Sequence, residues 1–235
     1  MGKPCRKVLR FAGVPFDSEP NEQNLLVPIS HLRSYNLPDI QKHLLSLHPQ
    51  DRYLRFGYAA TDEQISRYVA SLNFERDEIY GIFNRDLQIL AIAHLALTRS
   101  ENENANAPQI AEFGVSVLSS ARGRGYGYQL FQRALMHARN ANASTILIHA
   151  LSQNAPMLKI ARRAGATLER DGSETHALLK VPKGNLKTRI AEWITDQYAQ
   201  TNYNIKEDVK NFWYFLTQVH EIRQGVRSGR HQSAE

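Results

Sequence analysis

Six residues, Arg122-Gly123-Arg124-Gly125-Tyr126-Gly127, restrict the folds open to this chain more than any other stretch. A β-patterned run precedes them, Glu112-Phe113-Gly114-Val115-Ser116-Val117. A helix-patterned run follows, with Leu130, Phe131, Ala134, Leu135 and Ala138 on one face. Strand, glycine turn and helix in succession aim several backbone N–H groups at one point, and the helix start adds partial positive charge. Such a place suits an anion, a phosphate above all. The plain alternative is a tight turn that needs positive φ. That need alone does not account for three alternate glycines flanked by Arg122 and Arg124.

Charge gathers in the same region. The chain carries a net +6, yet residues 113–168 contain no Asp or Glu and seven cations: Arg122, Arg124, Arg133, Arg139, Lys159, Arg162 and Arg163. A polyphosphate ligand fits this coincidence of glycine and charge; a solvated Arg-rich helix face is the bland reading. Two familiar nucleotide motifs do not fit. A P-loop needs Lys-Ser or Lys-Thr after its glycines, and a dinucleotide fingerprint needs G-x-G-x-x-G with an acid about 20 residues on. Here the spacing is G-x-G-x-G, and the next acid is Glu169.

The length of 235 residues suits one medium domain with an extension. The single cysteine, Cys5, excludes an internal disulfide and Cys-pair zinc sites. No apolar run is long enough to span a bilayer, and no apolar segment follows the early Lys3, Arg6, Lys7 and Arg10 as a leader would require. A cytoplasmic protein is expected, with no membrane partner and no metal.

The chain divides into a Pro-rich arm at 1–24, a domain at 25–182 and a helical extension with a polar tail at 183–235. Residues 25–29 read as a first strand. Residues 37–47 read as a helix ended by Pro49. Residues 51–56 lead into a second helix, capped by Thr61 with Gln64 three residues on. A hairpin follows, 79–83 and 87–97 around Asn84-Arg85-Asp86, then a polar loop at 99–109. A fourth strand leads to the glycine turn. Residues 145–148 suit a buried central strand. Asn154-Ala155-Pro156 opens a further helix that Gly165 closes, and 175–181 supplies a last strand. Beyond Gly184, Leu186, Ile190, Trp193, Ile194 and Tyr198 form one helical face and Val209, Phe212, Trp213, Leu216 and Val219 a second, a helical hairpin.

The turn resembles that of the GNAT superfamily of acyl-CoA-dependent N-acetyltransferases, Q/R-x-x-G-x-G/A. Arg122, Gly125 and Gly127 match it. Val117 stands where the family ends its fourth strand, and Asn154 with Gly165 matches its N-x(10)-G spacing. The resemblance covers residues 25–182. It extends to the acetyltransferase domains of bacterial protein-lysine acetyltransferases through Asp51-Arg52-Tyr53-Leu54-Arg55-Phe56, Ile92-Ala93-His94-Leu95 and Asn154-Ala155-Pro156-Met157-Leu158. The implied fold is α/β (α+β): a mixed, mostly antiparallel central sheet of six to seven strands with flanking helices, plus the C-terminal helical hairpin.

The resemblance implies acetyl-CoA as donor and a primary amine, a protein lysine or a small molecule, as acceptor. Backbone groups of Val115 and Val117 would pair with the pantetheine arm. Residues Arg122, Gly123, Arg124, Gly125, Tyr126 and Gly127 would cradle the pyrophosphate, with Asn154 on an amide of the cofactor. An N-cap is the other reading of Asn154. Glu112 is the candidate general base, on a strand face where Gly114 and Ser116 leave room for a substrate; an exposed strand-end carboxylate is the alternative. His94 and His149 are fallback bases. Many members carry a Tyr acid seven residues after the asparagine; here that position is Ala161, and Ser152, Tyr126 or a bound water could substitute. Two other readings remain: a non-catalytic acyl-CoA sensor, and, ranked last, a nucleic-acid binder, whose affinity would fall steeply with salt. Glu101 and Glu103 in the polar loop could attract a cationic acceptor. The helical extension covers a sheet edge, shapes the acceptor site or joins two copies in a homodimer.

Overall fold

The computed structural model describes residues 27–98 and 109–182 and, beyond them, residues 189, 192, 195–197, 199–204 and 206–207. The arm at 1–24, loop residues Glu101 and Glu103 and both apolar faces expected of the helical hairpin lie outside the described residues.

The elements in order are β1 (Ser30–His31), α1 (Leu37–Leu45), α2 (Pro49–Phe56), α3 (Asp62–Ala70), β2 (Glu78–Phe83), β3 (Ile89–Thr98), β4 (Gln109–Val117), α4 (Tyr126–Asn140), β5 (Ala143–Leu151), α5 (Ala155–Arg163), β6 (Thr167–Asp171) and β7 (Glu174–Lys180). One seven-stranded sheet runs β1-β2-β3-β4-β5-β7-β6. Every neighbouring pair is antiparallel except β4 and β5, which α4 joins as a crossover.

Strand alternation divides the core. On β2, Tyr80 and Ile82 face α4 and α5, while Ile79 and Phe83 face α1 and α3. On the α4 side, Phe113 and Phe131 meet edge to face at 5.1 Å between ring centroids. All five apolar residues anticipated on the α4 face are buried. The capping box before α3 is formed: the Gln64 amide donates to Thr61 Oγ1 at 3.3 Å and the Thr61 amide to Gln64 Oε1 at 2.9 Å.

Three local expectations change. The first strand lies at 30–31, past Pro28, which has no N–H for a ladder. Pro49 opens α2 at its first turn, behind His48 as N-cap, so 49–56 is a helix of its own. The unanticipated β6 closes a hairpin with β7 around Gly172, whose φ is +55°.

The described part of the extension has helical backbone and returns to the domain. Glu192 and Asp196 both pair with Arg133 of α4. Tyr203 packs edge-on against Phe83 at 5.1 Å, and Lys206 Nζ donates to the Phe83 carbonyl at 3.2 Å. No helix among the described residues is long and apolar enough to cross a membrane.

Candidate active site

Strands β4 and β5 pair only at one end, residues 109–112 against 143–147. Past Glu112 they part. The opening holds a cleft of about 830 Å³ lined by both strands, α2, the glycine turn and α5. Register decides which backbone groups face it. The Leu118 amide donates to the Leu90 carbonyl at 2.9 Å, and Val117 stands opposite Ala91. Antiparallel pairing alternates, so even-numbered residues of β4 direct their N–H and C=O to β3. Val115 and Val117 direct theirs toward β5 beyond the last pair, Glu112 with Leu147, where no strand pairs with them. An unpaired backbone edge inside a cleft calls for a ligand that offers amides.

The glycine turn closes one end. Gly123 and Gly125 have φ of +76° and +77°, a region that glycine enters without strain. Gly125 is the N-cap of α4 and, having no side chain, leaves the first-turn amides of the helix open to the cleft. A Cβ on Gly127 would lie 3.2 Å from Ile160 Cδ1, so glycine here lets α4 and α5 approach. Arg122 lines the cleft with its guanidinium paired to Asp51 of α2; Arg124 is exposed and does not line it. Lys159 and Arg163 of α5 line the same end, the Arg163 guanidinium lying 3.9 Å from the ring centre of Tyr128. The basic run is not one surface, however. Arg133 is buried, 4.6 Å over the Tyr80 ring and held by Glu192 and Asp196, so its charge does not serve the turn.

The α1–α3 face of β4 carries Glu112, Gly114 and Ser116. Glu112 is exposed and lines the cleft beside Ala96. Gly114 and Ser116 do not leave open room as expected. The Arg55 guanidinium lies flat on Gly114, where an added Cβ would stand 2.8 Å from it. Ser116 is buried and bonded to His43 Nε2 at 2.9 Å. His43 Nδ1 is 2.9 Å from the Ile89 carbonyl, which can only accept, so Nδ1 carries the proton and the Ser116 hydroxyl donates to Nε2. Burial pulls the His43 pKa down to about 4, against the pull of the Ile89 carbonyl; the nearby Arg55 charge adds to the lowering.

His94, a fallback base, has both nitrogens engaged. Its Nε2 lies 3.1 Å from the Asp77 carboxylate and its Nδ1 2.8 Å from the Tyr68 hydroxyl, which in turn accepts from Arg55 Nη2 at 2.9 Å. Burial lowers the His94 pKa first and Arg55 lowers it further. Asp77 is held below the usual carboxylate range; burial opposes this, and bonds from Arg76 and His94 outweigh it. Tyr68, Arg55, His94, Glu112 and Gly114 all line the cleft.

At the β5 end, Asn154 is the N-cap of α5: its Oδ1 accepts from the Met157 amide at 3.2 Å, and its Nδ2 donates to the Leu54 carbonyl of α2 at 3.3 Å. It also lines the cleft. Ser152 is not among the lining residues. Its hydroxyl donates to the Glu174 carbonyl at 3.1 Å and meets Thr175 Oγ1 at 2.9 Å. These two contacts hold the hydroxyl away from the cleft lining. His149 lines the cleft with its Nδ1 2.8 Å from that of His176.

A family model described as an acetyltransferase (GNAT) domain matches residues 29–167, more than half of the chain. The chain belongs to the GNAT acetyltransferases. No curated protein matches it. Among solved structures, the GNAT domain of S. lividans PAT is similar over 65% of this chain and 89% of that one, at 16% identity and a TM-score of 0.55. Spermidine N-acetyltransferase from Vibrio cholerae, solved with CoA and spermine, covers 65% of this chain and 94% of its own at 14% identity and a TM-score of 0.50. The yncA protein from Salmonella typhimurium, solved with its cofactor acetyl-CoA, covers 67% and 95% at 13% identity and a TM-score of 0.50. These likenesses fix the GNAT fold. Within it, Ala161 is fully buried, so no hydroxyl enters the cleft from the position where the sequence comparison expects an acid.

Proposed function

We propose that the chain is an acetyl-CoA-dependent N-acetyltransferase that moves the acetyl group directly to a primary amine, of a protein lysine or a small molecule. One observation carries the reading: the unpaired N–H and C=O groups of Val115 and Val117 open onto a cleft that ends at the glycine turn. A pantetheine arm, with two amides, fits such an edge as a partial strand. The first-turn amides of α4, with Lys159 and Arg163 beside them, suit its pyrophosphate. Asn154, held between α5 and Leu54, is placed to support the same arm. Acetyl-CoA supplies an acyl group activated as a thioester.

The chain's own residues supply proton handling. A free lysine amine has a pKa of about 10.4, so a base must take its proton near neutral pH. Glu112 is exposed on the cleft wall and serves as that base. Tyr126 lines the cleft and offers the hydroxyl that Ala161 cannot. The catalytic unit is the domain at 25–182, working in the cytoplasm, with Glu192 and Asp196 of the extension paired to its Arg133.

Calorimetry with acetyl-CoA and CoA, followed by thiol release over a panel of amines, tests the reading. Glu112→Gln should lower turnover by about 10²–10⁴-fold and leave acetyl-CoA affinity unchanged. No binding of either ligand would refute the proposal. The buried Ala161 favours a second reading, a non-catalytic acyl-CoA sensor. Tight binding with no thiol release on any amine would support that instead.

A further inference from the structure

Arg55 has a setting that the pantetheine arm and pyrophosphate of the donor do not use. Its guanidinium lies on the backbone at Gly114, 5.3 Å from the Phe56 ring centre and 5.5 Å from that of Tyr68. Nη2 donates to the Tyr68 hydroxyl at 2.9 Å. That hydroxyl is itself oriented: Asp77 accepts from His94 Nε2, so His94 Nδ1 is the acceptor, and the Tyr68 hydrogen points to it. The lone pairs of Tyr68 are thereby turned to Arg55. A chain of four side chains, backed by an Asp77 that is only 3% exposed, fixes one guanidinium in the wall of the cleft.

A guanidinium has five N–H donors. One is used by Tyr68, and among the described residues no carboxylate pairs with Arg55 and no protein acceptor takes the other four. A rigid planar fork with free donors is the match for a carboxylate, bound through two parallel bonds. The phosphate end is too far to claim it. Gly114 precedes Val117 by three residues, about 10 Å of strand, and the glycine turn lies beyond that. Glu112 is two residues from Gly114 on the same face, about 7 Å along the strand. One fixed cation and one exposed carboxylate at this spacing complement a zwitterion.

We infer that Arg55 forms a carboxylate subsite in the cleft, so that one of the two substrates carries a carboxylate close to the reacting group. The inference rests on the acetyltransferase reading for which substrate is meant. The carboxylate belongs either to the acceptor, an amino-acid-like amine, or to a dicarboxylic acyl group on the donor.

The test uses the full chain and two matched arms, read as binding by calorimetry and as thiol release. In the first arm, α-amino acids are compared with their carboxamides in the presence of acetyl-CoA. In the second, succinyl-CoA is compared with acetyl-CoA. One arm should show a preference for the carboxylate on the order of tenfold to a hundredfold, the worth of a bond to a charged group. Arg55→Gln should bring that preference to within about threefold of unity, on the same scale. Gly114→Ala is the second variant: its Cβ falls on the flexible end of Arg55, so the fold survives while the guanidinium is pushed aside, and the same preference should fall. No carboxylate preference in either arm overturns the inference, and so does a preference that both variants leave intact. Failure to bind acetyl-CoA would refute the acetyltransferase reading by itself. The amino-acid and carboxamide pair, titrated into the protein alone, would still report on Arg55.

Discussion

Acidification from pH 7 to pH 5 should destabilise this protein through His43, and the amount can be worked out. In the folded chain His43 is 3% exposed and its pKa lies at about 4; unfolded, it returns to about 6.5. The folded pKa is the lower one, so the unfolded chain binds the extra proton. Stability from this residue is therefore complete above pH 6.5 and is lost as pH falls from 6.5 toward 4. The full span of about 2.5 units corresponds to about 3 kcal/mol, of which about 2 kcal/mol is lost between pH 7 and pH 5. For a domain of this size that is roughly 4–8 °C in Tm. Urea unfolding at the two pH values, wild type against His43→Gln, isolates the residue from other titrating groups. The variant loses the bonds to Ile89 and Ser116 and should be less stable at pH 7, by about 1–3 kcal/mol. The gap should nearly close at pH 5. Equal losses in both proteins, or an NMR titration midpoint for His43 near 6.5, would refute the assignment. The consequence reaches the cleft, because the bond at risk ties α1 to Ser116 on β4.

Three further outcomes follow from the geometry. Gly125→Ala places a side chain at φ +77°, which costs about 1–2 kcal/mol; acetyl-CoA affinity by calorimetry should drop about tenfold as the first turn of α4 shifts. Asn154→Ala removes the cap of α5 and its tie to Leu54, so thermal melts should show a loss of about 1 kcal/mol, with weaker acetyl-CoA binding. Glu192→Gln loosens the clamp on Arg133 and should cost about 1–2 kcal/mol at pH 7, allowing for the water at that edge. The Glu192 pKa is lowered to about 2; burial opposes this, and bonds from His137, Asn140 and Arg133 outweigh it. Its contribution is thus complete above about pH 4.5 and fades as pH falls toward 2. Denaturation curves of the two proteins should converge over that interval.

What the sequence made legible was local. The glycine turn, the buried stripe of α4 and the Thr61–Gln64 box each lie within a few residues, and period or capping chemistry reveals them. Strand β6 was not legible because it is an edge strand, exposed except at Leu168, and has no alternation to read. Pro49 reads as a helix stop from the side of α1 and as a helix start from the side of α2; only the second is realised. The basic run misled for a similar reason. Arg133 finds its acids 59 and 63 residues later, and no count of charges along the chain reveals that. The Arg55–Tyr68–His94–Asp77 chain is the extreme case. Its links span 13, 26 and 17 residues across four segments, so no spacing encodes it. Tyr68 lies at helical spacing with the apolar Ile65, Val69 and Leu72, and that spacing does not mark its hydroxyl.

The division of labour in the cleft follows from the pleat of a single strand. Odd residues of β4 send their side chains into the α4 core, as Phe113 does against Phe131, and turn their backbone groups to the open edge. Even residues hydrogen-bond to β3 and present Glu112, Gly114 and Ser116 to α1 and α2. The same nine residues thus turn amides to the edge of the cleft and side chains to its face. A slip of one residue would exchange the two sets, burying Glu112 in an apolar core and exposing Phe113. Two contacts resist it: Ser116 held by the buried His43, and Gly114, the one residue type that lets Arg55 lie flat on the strand. The residues that fix the register of β4 are therefore residues that shape the wall of the cleft, and substitutions there should change binding and stability together.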